Sequence, residues 1–408
     1  MRGTPPPPSI RQPGHPCSFG SSSRPLLMQI AGRPPRRRKE CFDFYFPIGR
    51  RRRALTGNGA VVGWIQAATM PGPWRSSRIS PTSPGLVLGI DLGGSKIALA
   101  VGDPSGGLRA VFRRAANLSG DPERDLTAIA ADALGILARA GIARGELGAI
   151  GLSSPGPIDP ETRCILSPPN LPGWVDVPAP AVLENTFGCP CFLENDANSA
   201  ALAEWHFGAA KGTRDAVYLT MSTGVGGGLI IGGRLHRGIG WCAGEVGHAP
   251  VEWNGRPCAC GLRGCLEAYV GGRAWTQHLR LKASAGGRVA LLAGGKDHIQ
   301  PEHLVAAARE GDGFALAELG RFNDYLARSL VQTICTVAPE VIVLGTIPTA
   351  AGERLCFEPI RRRVREHVWP RLGERVRIVP AALGDRLPYY AGICAALAGI
   401  QEGRGSGS

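Results

Sequence analysis

No run in this 408-residue chain approaches the ~18–20 consecutive apolar residues that span a membrane, so a membrane-crossing helix is excluded. Acidic residues are nearly absent from residues 1–84, which hold 14 Arg and Lys against only Glu40 and Asp43. The remaining 324 residues carry 32 basic and 31 acidic side chains. The net charge of +13 is therefore a property of the leader, and it argues no nucleic-acid partner for the rest. That leader also holds 14 of the 34 prolines and the basic runs Arg36–Lys39 and Arg50–Arg53. Such a composition buries too little apolar surface to offset ordering entropy, so residues 1–84 are expected to be disordered and dispensable, with a start nearer Met70. Ala54–Met70 faintly resembles a secretory signal, yet Asn58, Gln66 and three glycines make a poor apolar core for one. Neither the G-x-x-x-x-G-K-[ST] phosphate loop nor a complete dinucleotide fingerprint occurs. The twelve cysteines form no disulfide framework, since three cluster and the rest are scattered, which agrees with a reducing compartment. A cytoplasmic protein with no membrane partner is expected.

The cysteine cluster is the most specific local feature. His248 stands ten residues ahead of Cys258, Cys260 and Cys265 in the stretch HAPVEWNGRPCACGLRGCLE. Three thiols and one imidazole complete a tetrahedral zinc set, and Gly261 and Gly264 let the backbone turn tightly enough to aim them at one ion. With all four positions taken by protein, the zinc is expected to be structural.

Folding signals begin at Gly85. Leu86–Ile90 and Ile97–Val101 read as two strands joined by a turn that contains Asp91, Gly93, Gly94, Ser95 and Lys96. Such a turn can bring N–H groups to a phosphate, with Asp91 holding a hydrated Mg²⁺ and Lys96 adding positive charge. A lone Gly-Gly hairpin is as a rule only a hairpin. The design recurs, however: Ala216–Met221 reads as a strand, Ser222–Gly228 as a glycine-rich turn, and Leu229–Ile231 as a strand. Two such units suggest duplicated halves facing each other across a cleft. A third buried strand, Val341–Leu344, ends at Gly345. Between the two units lies Glu194-Asn195-Asp196-Ala197-Asn198, followed by an alanine-rich helical run, Ser199–Ala210. Asp196 at a helix start is either an ordinary N-cap or, set between phosphate turns, a base for a substrate hydroxyl.

Seven segments in order resemble the ROK family of sugar kinases and sugar-responsive repressors: DLGGSK (Asp91–Lys96), SSPGPID (Ser153–Asp159), NLPGW (Asn170–Trp174), ENDAN (Glu194–Asn198), STGVGGG (Ser222–Gly228), GEVGH (Gly244–His248) and CACGLRGCLEAY (Cys258–Tyr269). The resemblance covers roughly residues 85–400. It implies an α/β fold of the actin-like, hexokinase type (ribonuclease H-like), with two duplicated domains around a cleft. Expected bounds are 85–205 for the first domain, joined by a C-terminal helix near 386–402, and 206–385 for the second, which carries the zinc knuckle. The resemblance further implies an ATP-dependent kinase acting on the 6-hydroxyl of a hexose, with Asp196 as general base. Asn170, Asn195, Asp196, Glu245, His248 and Glu267 would line the sugar, His248 sharing its ring between sugar and zinc. Asp91, Gly93, Gly94, Ser95, Lys96, Thr223, Gly224, Gly226, Gly227 and Gly345 would hold ATP phosphates and their Mg²⁺, and a homodimer or homotetramer is implied.

Glucose is the expected hexose, with an N-acetylglucosamine or N-acetylmannosamine kinase or a fructokinase as the alternatives within the family. A family repressor would need a helix-turn-helix ahead of Gly85, and the Pro-rich segment there offers none. Two positions depart from the family pattern. Ser222 and Thr346 stand where glycines are usual, and both border the expected nucleotide site.

Overall fold

The structure, a computed structural model, describes residues 85–405. The expectations for residues 1–84 lie outside the described residues. In chain order the first half supplies β1 (Leu86–Leu92), β2 (Lys96–Gly102), β3 (Leu108–Ala115), β4 (Leu147–Ser154), a short ribbon of β5 (Ile158–Asp159) and β6 (Cys164–Ile165), and β7 (Cys191–Asn195). The second half supplies β8 (Ala216–Met221), β9 (Val225–Ile231), β10 (Arg234–Leu235), β11 (Val341–Thr346) and β12 (Arg377–Pro380).

Each half forms one five-stranded sheet, ordered β3-β2-β1-β4-β7 and β10-β9-β8-β11-β12. In both, the first three strands of the half pair antiparallel and the last two join in parallel, so the expected duplication is present at the level of topology. The inner strands β1, β2, β4, β8 and β11 are almost wholly buried, as strands covered by helices on both sides must be, whereas the edge strand β3 alternates half-buried and exposed residues. On the outer face of the first sheet, Leu88, Ile90 and Leu92 pack with Leu126, Ile129 and Ile136 of α1 (Pro122–Ala140) and with Leu183 and Phe187 of α2 (Ala179–Phe187). On the outer face of the second, Val217, Leu219, Ile342 and Leu344 pack with Leu319, Phe322 and Leu326 of the long helix Gly313–Val337.

The inner faces share two helices. One is α3 (Asp196–Phe207), which buries every residue from Ala197 to Glu204, as expected of a helix enclosed on all sides. The other is the C-terminal helix Leu387–Gly405, slightly longer than expected. It packs against α3 and against β1, β2, β4 and β7. Its Ile393 and Ala396 meet Val87 and Ala149 of the first sheet, while Tyr390, Cys394 and Ala398 join a cluster with Tyr218 and Val343 of the second. Contact with the first sheet is so close that a Cβ on Gly151 would stand 1.8 Å from the Gly392 carbonyl oxygen.

Several boundaries differ from the sequence expectation. Asp91 lies in β1 and Lys96 in β2, which leaves Gly93–Ser95 as the first turn, and β11 runs on through Gly345 to Thr346. The second glycine turn is only Ser222–Gly224; Gly226, Gly227 and Gly228 belong to β9. A Cβ at Gly226 or Gly228 would meet Ala197 or Ala201 at 2.9 and 2.6 Å, so these glycines let the strand lie against α3. Helix α3 starts at Asp196, ahead of the alanine run.

Candidate functional site

The parallel strands of both sheets end toward the same region, and the chemistry-bearing residues collect there. At the end of β1, Asp91 pairs in register with Ser153 of β4, whose Oγ donates to Asp91 Oδ1 at 2.7 Å. Burial pushes the Asp91 carboxyl up to about 7; the Ser153 bond opposes this, and the charge of Asp196 adds to it. The Gly93–Lys96 turn is closed by the Gly93 N–H donating to the Lys96 carbonyl at 3.0 Å. Ser95 and Lys96 are exposed. A Cβ on Gly94 would lie 2.6 Å from the Asn170 carbonyl oxygen, so the first turn and the Asn170 loop touch directly. That loop is anchored by Trp174, 1% exposed, whose Nε1 donates to Asp125 Oδ2 of α1 at 3.2 Å.

Asp196 is the first residue of α3, and its neighbour performs the capping. Asn195 Oδ1 accepts from the N–H groups of Ala197 and Asn198 at 2.9 and 3.4 Å. Asp196 Oδ1 accepts from the Ala197 N–H at 2.8 Å, and the residue is exposed to the space in front of it. Protein crowds the carboxylate from behind and pushes its pKa up to about 6; hydrogen bonding to Ala197 opposes this and the charge of Glu245 reinforces it. Glu194 is buried beneath, held by Arg237 Nε at 2.7 Å and by Asn198 Nδ2 at 2.9 Å.

Glu245 precedes a turn, Val246–His248, that delivers His248. His248 Nε2 is 3.9 Å from Glu245 Oε2, and His248 Nδ1 is 3.8 Å from Cys258 Sγ. The imidazole thus faces Glu245 with one nitrogen and the Cys258 sulfur with the other. Ligand atoms of His248, Cys258, Cys260 and Cys265 all lie within 4.8 Å of one another, and the Cys260 and Cys265 sulfurs are 3.7 Å apart. A zinc tetrahedron with bonds of ~2.3 Å has edges near ~3.8 Å, which the Cys260–Cys265 and His248–Cys258 pairs match, and the wider pairs need close by only about an ångström to complete such a set. Gly261 and Gly264 adopt φ of +88° and +75°, the left-handed conformation that folds the loop back on itself.

Glu267 belongs to the knuckle's end and to the second turn at once. Its Oε2 accepts from the Val225 N–H at 2.8 Å, and a Cβ on Gly224 would stand 2.3 Å from the same oxygen. Thr223 and Gly224 form the turn, while Gly227 packs on the Gly244 carbonyl, 2.7 Å from its ideal Cβ position. Gly345, next to last in β11, lies against the Tyr218 hydroxyl. Beside it, Thr346 has φ +58° and ψ −112°, a conformation that disfavours a β-branched residue.

The structure therefore brings Asp91, Asn170, Asn195, Asp196, Glu245, His248 and Glu267 to the ends of the parallel strands, with the first turn and residues 223–224. Gly226 and Gly227 lie instead inside β9. Ser153 and the Glu194–Arg237 pair were not singled out by sequence. Ser153 lies in SSPGPID, where its register opposite Asp91 is invisible without the sheet. Arg237 continues from Glu194 to Glu402 of the C-terminal helix and lies 4.8 Å from the Trp241 ring centre.

Comparison with known proteins bears on the family and the fold. The sequence profile of the ROK family matches residues 87–396. The glucokinase of Thermotoga maritima is 35% identical over 319 residues, which cover 78% of this chain and 97% of that protein. The crystal structure of a ROK family glucokinase from Streptomyces griseus in complex with glucose and AMPPNP aligns with a TM-score of 0.65 and 32% identity, covering 78% of this chain and 100% of that one. The xylose repressor of Bacillus spizizenii is 31% identical over 239 residues, 59% of this chain and 58% of its own.

Proposed function

Because the chain belongs to the ROK family, we propose that it is an ATP-dependent hexose kinase that phosphorylates the 6-hydroxyl of glucose. The observation that carries the reading is Asp196. Its carboxylate is open in front, crowded behind, relieved of capping by Asn195, and electrostatically coupled to Asp91 and Glu245. A base poised near about 6 is ionised at neutral pH yet basic enough to accept a hydroxyl proton as the phosphoryl group arrives. Glu245, His248 and Glu267, with Asn170 and Asn195, supply hydrogen-bonding groups for sugar hydroxyls. The turns at Gly93–Lys96 and Thr223–Gly224 place N–H groups for the phosphates, and Asp91 is the carboxylate suited to Mg²⁺ carried in with ATP. Phosphoryl transfer needs chiefly alignment and charge neutralisation, which these parts supply.

In this reading residues 85–205, with the C-terminal helix, form one domain and 206–385 the other. Zinc held by His248, Cys258, Cys260 and Cys265 would be structural, fixing His248 and Glu267 at the edge of the sugar pocket. A cytoplasmic homodimer or homotetramer is part of the same proposal. Among the described residues no helix is long and apolar enough to cross a membrane.

Measuring kcat/KM with ATP and Mg²⁺ for glucose, N-acetylglucosamine, N-acetylmannosamine, mannose and fructose tests the assignment. Glucose is expected to lead. If another sugar exceeds it about tenfold, a transition-state preference of ~1.4 kcal/mol, the glucose assignment falls and the hexose-kinase reading stands. No phosphorylation of any sugar would favour a sugar-responsive role of the repressor kind.

A further inference from the structure

Thr346 occupies the C-terminal end of β11, in register with Met221, the last residue of β8. Ser222, the next residue, opens the second turn. A β-branched side chain at φ +58° and ψ −112° is held there by its surroundings, because its own backbone preference opposes the conformation. The holding contact is visible. Thr346 Oγ1 has the Met221 carbonyl and, at 2.8 Å, the Gly345 carbonyl within reach of its one proton, and it stands 3.3 Å from Thr220 Oγ1, which can donate to it in turn. The end of β11 is thus tied by a side chain to the last two residues of β8.

The turn beyond is fastened at its other points. The Ser222 N–H donates to the Gly224 carbonyl at 3.0 Å. The Ser222 and Thr223 carbonyls accept from the N–H groups of Gly272 and Arg273 at 2.8 and 2.9 Å, and Glu267 holds the Val225 N–H at 2.8 Å. The Thr346 hydroxyl completes this set from the β11 side. We propose that Thr346 is a positioning residue that fixes the Ser222–Gly224 turn in the conformation that receives ATP, a role that rests on the kinase reading above.

Thr346→Val keeps the branched shape and removes only the hydroxyl, whereas Thr346→Ser keeps the hydroxyl. In the valine variant, amide hydrogen exchange over residues 216–231 is expected to accelerate. The KM for ATP should rise about fivefold, ~1 kcal/mol at 1.4 kcal/mol per tenfold, with kcat and the hexose KM within about twofold of wild type. The serine variant should match wild type in both measurements. A lower Tm in the valine variant, with unchanged exchange and ATP KM, would overturn the proposal by showing a structural role alone. Equal behaviour of valine and serine would overturn it as well. If the wild-type protein phosphorylates no sugar, the kinase reading falls, and the exchange comparison alone decides whether the hydroxyl holds the turn.

Discussion

Asp91 and Asp196 are like carboxyls in unlike settings. Asp91 is enclosed and bonded to Ser153, and its carboxyl is pushed up to about 7; Asp196 faces open space and is raised to about 6. Asp196→Asn keeps the size and removes the base, so kcat is expected to fall on the order of 10²–10⁴-fold while hexose and nucleotide binding persist. Because the base must be ionised, kcat/KM for the hexose should decline as pH falls through about 6, and the acid limb should vanish in the residual activity of the asparagine variant. Pre-steady-state and steady-state assays across pH 5–8 would check both. Near-normal turnover of the variant would remove Asp196 from the chemistry. At this scale the sequence exposed residue types but not their partners. ENDAN left open whether Asp196 caps the helix; the structure gives that task to Asn195, because a side chain one position earlier reaches the free N–H groups of the first turn.

Single elements were legible wherever one physical demand dominated. The knuckle was readable because three thiols and an imidazole so spaced match a metal-ligand set; the structure brings their donor atoms within 4.8 Å of one another, and Gly261 and Gly264 do adopt the left-handed turns their positions suggested. The second glycine run was misjudged because glycine serves two demands there. Thr223 and Gly224 turn the chain, while Gly226 and Gly228 thin the face of β9 so that α3 can approach, a tertiary requirement that leaves no local signature. Two predictions belong here. Stripping metal with a strong chelator should lower Tm and accelerate amide exchange around Val225 as well as in residues 248–267, because Glu267 spans both. Exchange changes confined to 248–267 would show that Glu267 does not couple the elements. Gly392→Ala would place a Cβ 2.4 Å from the Ile90 nitrogen, so urea unfolding should show a loss of at least ~1–3 kcal/mol, the ordinary range for overpacking. An unchanged unfolding midpoint would show that helix and sheet can part at little cost.

For the whole molecule, repeated strand–turn–strand units foretold the duplication, yet not the burial of α3 and the C-terminal helix between the sheets. An alanine-rich helix with no polar face is the available clue, since alanine permits close approach from every side. The C-terminal helix has a consequence for how the chain is born. β1 to β7 emerge from the ribosome long before residues 387–405, and the face formed by Val87, Ala100 and Ala149 waits for Ile393, Ala396 and Leu397. Synthesis at ~5–20 residues per second leaves that face uncovered for about ten seconds or more after β7 is complete. The first half therefore cannot finish folding in the order in which it is made. Its contacts with that helix span nearly the whole of the described sequence, which predicts slow closure that waits until residues 387–405 have been made.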